Sequence, residues 1–253
     1  TRPQRLIALL GVRMTDFPTG RDFRAPPIIY VGRGALLRLP EALGELGVRR
    51  ATLITDRVMG DSTWTPKLRG LAADAGVDLS VYRDLSGEPT TLDVEAALAV
   101  VRSADAQAVI GFGGGSALDT AKSAAALMRN PGRLPNYEGS ERFSHAGLPV
   151  IAIPTTAGTG SEVTRGIAVT DVERDVKMLI MSAHAVPHIA IVDPAPTYSM
   201  PPAVTASTGL DTLTHAIEAY VSRRSYPSTD AFAIDAVGRV ARALRRAYRM
   251  PDD

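Results

Sequence analysis

The stretch GGGSALDTAK, residues 113–122, decides the fold because it places a flexible turn between an apolar strand and a helix. Residues 108–112 (AVIGF) have the pattern of a short buried strand, and 116–130 have that of a helix that Ser116 is well placed to cap. Glycines let the backbone come close to a ligand, and the first N–H groups of a helix favour an anion. The pattern predicts a phosphate cradle, and a tight turn of purely steric origin fits it equally well. The residues of this predicted cradle are Gly113, Gly114, Gly115 and Ser116.

Composition and charge restrict the class of protein. The chain has 253 residues, of which 45% are hydrophobic and 22% charged, as in soluble globular proteins. Its formal net charge of +1 offers no electrostatic basis for binding nucleic acid or an anionic membrane. No apolar run approaches the roughly 20 residues that a membrane span needs. The chain has no cysteine, which excludes disulfides, thiolate metal sites and a cysteine nucleophile, and we expect a cytoplasmic protein.

From residue 26 onward, short β-rich runs alternate with helical patterns, which is typical of βαβ units and a parallel sheet. The predicted strands are 28–31, 51–55, 79–82, 108–112 and 150–154. The predicted helices between them are 36–46, 66–75 and 92–103, with Gly47 and Gly76 as stops. This order predicts a doubly wound α/β domain whose ligands bind at the carboxyl ends of the strands.

After residue 156 the pattern changes. A hairpin is expected at 166–170 and 176–180, and one more strand at 188–192. Two helical patterns follow, from 201 toward 222 and over 230–248, the second with arginines on its outer face. We therefore divide the chain into an N-terminal extension (1–25), an α/β domain (26–200) and the beginning of a helical domain (201–253).

A second polar loop, IPTTAGTGSEVT at 153–164, follows a predicted strand of the same sheet. It offers hydroxyl and backbone donors beside the glycine turn, which suits a dinucleotide, whereas taken alone it fits an ordinary polar turn. Its hydroxyl-bearing residues are Thr155, Thr156, Thr159, Ser161 and Thr164.

Asp211 and His215 stand four residues apart in a helical pattern, so their side chains project from one face and can share a divalent cation. Two ligands make an incomplete metal site, and an aspartate near a helix start paired with a partly buried histidine has the same spacing. The other histidines are poorer ligands. His184 and His188 share the spacing of four residues, but Pro187 between them indicates a loop and not a helix, and His145 is expected in a surface loop.

Two further charged residues stand out, of which Asp56 has two interpretations. Asp56 ends a predicted strand, where an acidic residue accepts hydrogen bonds from an adenosine ribose and repels a 2′-phosphate, and where turn residues are also common. Lys177 interrupts an apolar strand pattern, as an edge-strand lysine with its ammonium in solvent does. The first interpretation of Asp56 favours NAD over NADP.

Four stretches occur in the order found in the iron-containing (group III) alcohol dehydrogenase family: GGGSALDTAK (113–122), IPTTAGTGSEVT (153–164), AIVDP (190–194) and GLDTLTHAIEAY (209–220). The chain closely resembles this family over about 26–248. The resemblance implies that 26–200 form a Rossmann-like domain binding NAD(P). It also implies that 201–253 begin an all-helical domain holding one divalent iron, or zinc in some members.

The resemblance also implies roles for individual residues. Asp211 and His215 resemble the first two metal ligands, and Asp56 resembles the residue that sets cofactor choice. Gly114, Gly115 and Ser116 correspond to pyrophosphate contacts, with Gly113 in the same turn. The remaining implied cofactor residues are Thr155, Thr156, Thr159, Thr164, Asp119 and Lys177.

Two departures from the family pattern are visible. The family takes two more histidine ligands from later helices, and the sequence given ends at Asp253 before reaching them. Many relatives have Asn before the Pro-Thr that follows the third strand, whereas this chain has Glu88, which affects the expected contact with the adenosine part of the cofactor.

The predicted function is that of a metal-dependent alcohol dehydrogenase or aldehyde reductase, which moves a hydride between an alcohol and NAD(P) with Fe²⁺ or Zn²⁺ as Lewis acid. The alternatives are a specialised aldehyde or keto-acid reductase of the same family and a nucleotide-binding fragment without catalysis. We expect a small alcohol or aldehyde substrate, no nucleic acid or membrane partner, and a homo-oligomer.

Overall fold

The structure is a computed structural model that describes residues 23–85 and 87–250. The predicted N-terminal extension, 1–25, lies outside the described residues apart from its last three positions. In the described part of the chain, none of the helices combines the length and the apolar composition needed to cross a membrane.

The main sheet is parallel and has the strand order β1-β9-β6-β4-β2-β3. A smaller sheet has the order β5-β8-β7. The strands are β1 Ile28–Val31, β2 Arg50–Asp56, β3 Asp78–Leu85, β4 Ala108–Gly113, β5 Gly139–Ser140, β6 Val150–Pro154, β7 Gly166–Asp171, β8 Val176–Met181 and β9 Ile189–Val192.

Helices connect the strands and close the chain. Within residues 23–85 and 87–250 there are also four short 3₁₀ segments, of which Ala35–Arg38 leads directly into the first α-helix. The α-helices are α1 Leu39–Leu46, α2 Arg57–Gly60, α3 Trp64–Asp74, α4 Thr91–Ser103, α5 Gly115–Leu127, α6 Pro202–Val221 and α7 Pro227–Arg249.

The main sheet is covered on both faces, because successive side chains of its central strands point to opposite sides. In β4, Ile110 packs in the cluster with α1 and α3, whereas its neighbour Val109 packs in the cluster with α4 and α5. Every residue of β4 is buried, as expected for a parallel strand between two helical layers. The predicted doubly wound α/β fold is confirmed.

The glycine turn differs from its prediction in one respect. Helix α5 begins at Gly115, and its N-cap is Gly114 in an extended conformation, with no side-chain cap. The prediction that Ser116 caps this helix is wrong, because the glycine backbone starts the helix directly where β4 ends and Ser116 already lies in the first turn. The helix also ends at Leu127, before the predicted 130.

The predicted hairpin is formed by β7 and β8, which pair antiparallel from Gly166↔Met181 to Asp171↔Val176. Strand β5 was not predicted, because two residues carry no periodicity. It pairs with the end of β8 and closes one side of the small sheet. The isolated pairing of Thr90 with Thr170 joins the hairpin to the β3–α4 loop.

Helices α6 and α7 form the C-terminal part and pack on each other. At their contact, a Cβ on Gly209 would lie 2.2 Å from Leu244 Cδ1, so only glycine allows this approach without a shift. The proposed boundary near residue 200 between two domains stays a prediction.

Candidate functional site

The glycine turn connects β4 with α5 at the carboxyl edge of the main sheet. Gly113 has φ +152, and a Cβ there would lie 2.7 Å from Ala117 Cβ. At Gly115, a Cβ would lie 2.9 Å from Thr159 Cγ2. The turn therefore places glycine backbone next to the start of α5, where no side chain caps the first N–H groups of the helix. This arrangement suits an anion.

The threonine loop, residues 155–165, follows β6, which is the neighbour of β4 in the sheet. The Thr155 N–H donates to the Gly113 carbonyl oxygen over 2.9 Å, and the Thr156 side chain lies beside Gly114. The prediction that two donor-rich loops meet at one edge of the sheet is confirmed by this contact.

A cavity of about 530 Å³ opens between the glycine turn, the threonine loop, the small sheet and α6. The predicted site residues that line this cavity are Gly115, Ser116, Asp119, Thr159, Thr164, Lys177, Asp211 and His215. Four others lie in the same two loops without lining it: Gly113, Gly114, Thr155 and Thr156. The cavity thus joins the predicted phosphate end to the predicted metal ligands.

Asp56 lies outside this cavity lining, at the end of β2. Its Oδ1 accepts the Met59 N–H over 2.9 Å and so caps the short helix α2. Its Oδ2 faces the glycine turn, 3.1 Å from where a Cβ on Gly113 would be. The structure therefore gives Asp56 a capping role, and its role toward a ribose stays a prediction.

Asp211 and His215 project from the middle of α6, with 3.6 Å between Asp211 Oδ1 and His215 Nε2. Their side chains are 44% and 53% exposed, so the alternative of a partly buried pair near a helix start does not describe them. A carboxylate and an imidazole suit a borderline divalent cation. Within 23–85 and 87–250, however, the acidic and histidine side chains form no group of three or more that could hold a metal ion.

The threonine loop holds α6 in place. A Cβ on Gly158 would lie 2.8 Å from the Thr208 carbonyl oxygen. The Thr212 hydroxyl lies 3.1 Å from the Ala157 carbonyl oxygen and 3.0 Å from the Thr208 carbonyl oxygen, and it can donate to either. Because Thr212 follows Asp211 directly, the loop that approaches the glycine turn also positions the helix of the two candidate metal ligands.

Lys177 donates to Glu88 Oε1 over 2.9 Å, and both side chains line the cavity. Strand β8 is the central strand of the small sheet, and among the described residues β5 pairs with it at Ile180 and Met181, beyond Lys177. The sequence signal for this ion pair was the unusual Glu88 before Pro89. Its partner, 89 positions away, was not apparent from the sequence.

A second ion pair that sequence reasoning missed lies beneath the cavity, between Asp119 and Lys122 of α5, with 3.1 Å between Oδ1 and Nζ. Burial lowers the pKa of Lys122, and the Asp119 carboxylate opposes that shift. Burial also raises the pKa of nearby Glu162 in the threonine loop, which Lys122 partly offsets. The spacing of three residues on one helix was the available signal for the Asp119–Lys122 pair.

The remaining histidines lie apart from this cavity. His188 precedes β9, where Nδ1 accepts weakly from the Val150 N–H over 3.4 Å, and burial lowers its pKa. His145 is exposed in a loop, and His184 occupies a 3₁₀ turn.

Comparison with known proteins gives one consistent family. The family described as "Iron-containing alcohol dehydrogenase" matches residues 26–194, and "Fe-containing alcohol dehydrogenase family, C-terminal" matches 205–253. Alcohol dehydrogenase 4 of Saccharomyces cerevisiae is 37% identical over 227 residues, which are 90% of this chain and 59% of that protein. The NAD-dependent methanol dehydrogenase of Bacillus methanolicus is 35% identical over 232 residues, which are 92% of this chain and 61% of that protein.

Solved structures agree with the sequence matches. The sulfoacetaldehyde reductase of Bifidobacterium kashiwanohense, solved in complex with NAD⁺, has a TM-score of 0.85 and 34% identity, covering 93% of this chain and 62% of that one. The chain spans about three fifths of the length of the relatives it matches. Because the family match covers well over half of its residues, the chain belongs to the iron-containing alcohol dehydrogenase family.

Proposed function

We propose that the chain carries the dinucleotide-binding part and two metal ligands of an NAD-dependent alcohol dehydrogenase or aldehyde reductase. One observation carries the proposal: a single cavity is lined both by the start of α5 at the glycine turn and by Asp211 and His215. Relatives described as NAD-dependent or solved with NAD⁺ support the choice of dinucleotide.

The residues present fit a dinucleotide. A Cβ on Gly115 would be 2.9 Å from Thr159, so the space in front of α5 stays open only for a glycine backbone. In the proposed arrangement, N–H groups of the first turn of α5 donate to the pyrophosphate, and hydroxyls of the threonine loop donate beside it. Asp56 favours NAD over NADP, since a carboxylate at the end of β2 repels a 2′-phosphate.

The residues present also fit part of a metal site. Asp211 and His215 would supply one oxygen and one nitrogen ligand to Fe²⁺, or to Zn²⁺, and the cation would need further ligands. When bound, such a metal supplies Lewis-acid chemistry that favours the ionised alcohol. The contribution of this chain is to hold the ligand pair against the threonine loop, so that a bound substrate faces the nicotinamide end of the cleft.

The test combines NADH titration, metal analysis and NADH-linked reduction of a panel of aldehydes. We expect NADH binding, retained iron or zinc, and turnover that Asp211→Ala and His215→Ala abolish while NADH affinity is kept. Gly70→Ala in α3, where an added Cβ meets nothing within 4 Å, is the matched control and should keep turnover.

Each other result points to a stated alternative. NADH binding without metal or turnover would leave a nucleotide-binding chain and contradict the enzyme proposal for it. Turnover confined to keto acids or to one specialised aldehyde would indicate the narrower reductase. The domain boundary near 200, the homo-oligomer and the cytoplasmic location stay predictions, and size-exclusion chromatography with light scattering checks the oligomer.

A further inference from the structure

Beneath the floor of the cavity, α5 carries an ion pair that the proposed chemistry does not use. The Lys122 side chain is 0% exposed, and its Nζ lies 3.1 Å from Asp119 Oδ1. A buried charge is costly unless it is paired and hydrogen-bonded, so the surroundings of this pair indicate what keeps it there.

All three protons of the Lys122 ammonium have partners inside the protein. Besides Asp119, Nζ donates to the carbonyl oxygens of Ser161 and Gly166. An ammonium has three donors and no acceptor, so this one has none left for a ligand. Lys122 therefore differs from a lysine that reaches bound phosphate from a glycine-rich loop.

Both carboxylate oxygens of Asp119 are also occupied. Oδ1 accepts from the Ser161 hydroxyl as well as from Lys122, and Oδ2 accepts the Ala168 N–H over 2.9 Å. Asp119 thus links α5 to the threonine loop through Ser161 and to β7 through Ala168. Its position beside the cavity results from these internal links.

The three linked elements are the ones that form the cleft. Gly115 and Ser116 begin α5, and Thr159 and Thr164 belong to the threonine loop, so the distance between the two sides depends on the links beneath them. Charge-assisted hydrogen bonds in a buried network are stronger than those of neutral exposed groups and hold one geometry.

We propose that Asp119 and Lys122 act as positioning residues, which hold the glycine turn and the threonine loop at the separation that the dinucleotide requires. The proposal rests on the proposed function, in which NAD occupies this cleft. It gives Asp119 a role through its internal links, beside the cofactor contact that the family resemblance implies.

The mildest test removes one donor to Asp119. In Ser161→Ala the carboxylate loses the Ser161 hydroxyl, and we expect the NADH Kd from fluorescence titration to rise about fivefold, the effect of a lost buried hydrogen bond. The matched control is Ser123→Ala, which removes a buried hydroxyl from the same helix that donates to the Asp119 carbonyl oxygen over 2.7 Å. The control should lower stability to a similar extent and leave the NADH Kd within about twofold.

Larger changes test the ion pair itself. Lys122→Met leaves the Asp119 charge buried and can abolish folding, so the double variant Asp119→Asn with Lys122→Met is measured beside it. We expect the double variant to fold, to bind NADH at least about tenfold more weakly, and to exchange the Ala168 amide faster. Ser161→Ala added to Asp119→Asn should have less effect than Ser161→Ala alone, because both changes act on one oxygen.

The outcomes separate this proposal from the function it rests on. If the wild-type chain binds NADH and both Ser161→Ala and the double variant bind it equally tightly, the positioning role is wrong and the proposed function stands. If the effect of Ser161→Ala is undiminished in Asp119→Asn, Ser161 acts independently of Asp119, which overturns the positioning role as well. A wild-type chain that does not bind NADH overturns both.

Discussion

Replacing Gly158 with alanine is expected to push α6, and with it the candidate metal ligands, away from the threonine loop. An added Cβ would lie 2.8 Å from both the Cβ and the carbonyl oxygen of Thr208. Gly158 is not among the glycines with positive φ, so its own backbone accepts alanine and the contact with α6 alone determines the effect.

The size of the effect follows from these distances. Apolar carbons are at their optimum roughly 3.5 Å apart, so the two Cβ atoms must separate by about 0.7 Å. Overpacking of this kind costs about 1–3 kcal/mol. The same movement lengthens the 3.1 Å contact of the Thr212 hydroxyl with the Ala157 carbonyl oxygen, but the hydroxyl keeps the Thr208 carbonyl oxygen, 3.0 Å away, as acceptor, so this adds little to the cost.

Urea denaturation measures the change in the free energy of unfolding, and hydrogen exchange over α6 shows where it acts. We expect a loss of about 1–3 kcal/mol and faster exchange in α6 than in α5. Gly70→Ala, with nothing within 4 Å of its added Cβ, is the control and should stabilise α3 by up to about 1 kcal/mol. In the active protein, a shift of this size at the metal ligands should reduce turnover more than NADH affinity.

The reasoning would be refuted by a Gly158→Ala variant that unfolds at the wild-type urea concentration and whose α6 exchanges at the wild-type rate. In that case another contact, such as the packing of α6 on α7, would hold the helix in place.

Three further predictions concern single side chains. Gly115→Ala should weaken NADH binding by more than tenfold in a titration, because its Cβ meets Thr159 where the pyrophosphate is proposed to bind. The same close contact should cost about 1–3 kcal/mol of stability, and unchanged affinity would contradict the cradle. Glu162→Gln should raise the free energy of unfolding at pH 7, and this gain should vanish below about pH 4. The reason is that burial raises the pKa of the Glu162 carboxyl, so that on raising the pH the unfolded chain loses the carboxyl proton before the folded protein does. An equal gain at both pH values would contradict this cause. His188→Asn should flatten the loss of stability on acidification below pH 6.5, because burial lowers the pKa of His188 and the unfolded chain takes up the proton first; a variant that loses stability on acidification as steeply as the wild type would contradict this cause.

Much of the α/β fold was predictable from local pattern. Strands 28–31 and 150–154 have the predicted bounds, because short apolar runs ended by turn residues carry their own limits. Gly47 ends α1 in the left-handed conformation, with φ +62, as a glycine after a helical pattern predicts. The meeting of the two donor-rich loops also followed from the sequence, since the strands they follow lie in one parallel sheet.

The local signals were less reliable where one residue could serve two purposes. Ser116 has the residue type of a helix cap, but the cap position is taken by Gly114, whose backbone turns into the helix earlier. Asp56 has the position of a ribose ligand, and in the structure one of its oxygens caps α2. In both cases the residue type is typical of a helix start. Which backbone N–H group each side chain can reach depends on the exact residue at which the helix begins.

Local sequence patterns predicted the alternation of strands and helices apart from β5, the glycine turn, the family resemblance and the position of Asp211 and His215 on one helix face. These features depend on residues that are close in the chain or on motifs that occur as units. Three contacts became apparent only in the folded protein. Lys122 is surrounded by Asp119, Ser161 and Gly166, and Glu88 pairs with Lys177. The absence of a side chain at Gly158 allows α6 to pack closely against the threonine loop. The physical reason is that such contacts join segments up to 89 residues apart, whose meeting depends on the strand order and packing of the whole sheet.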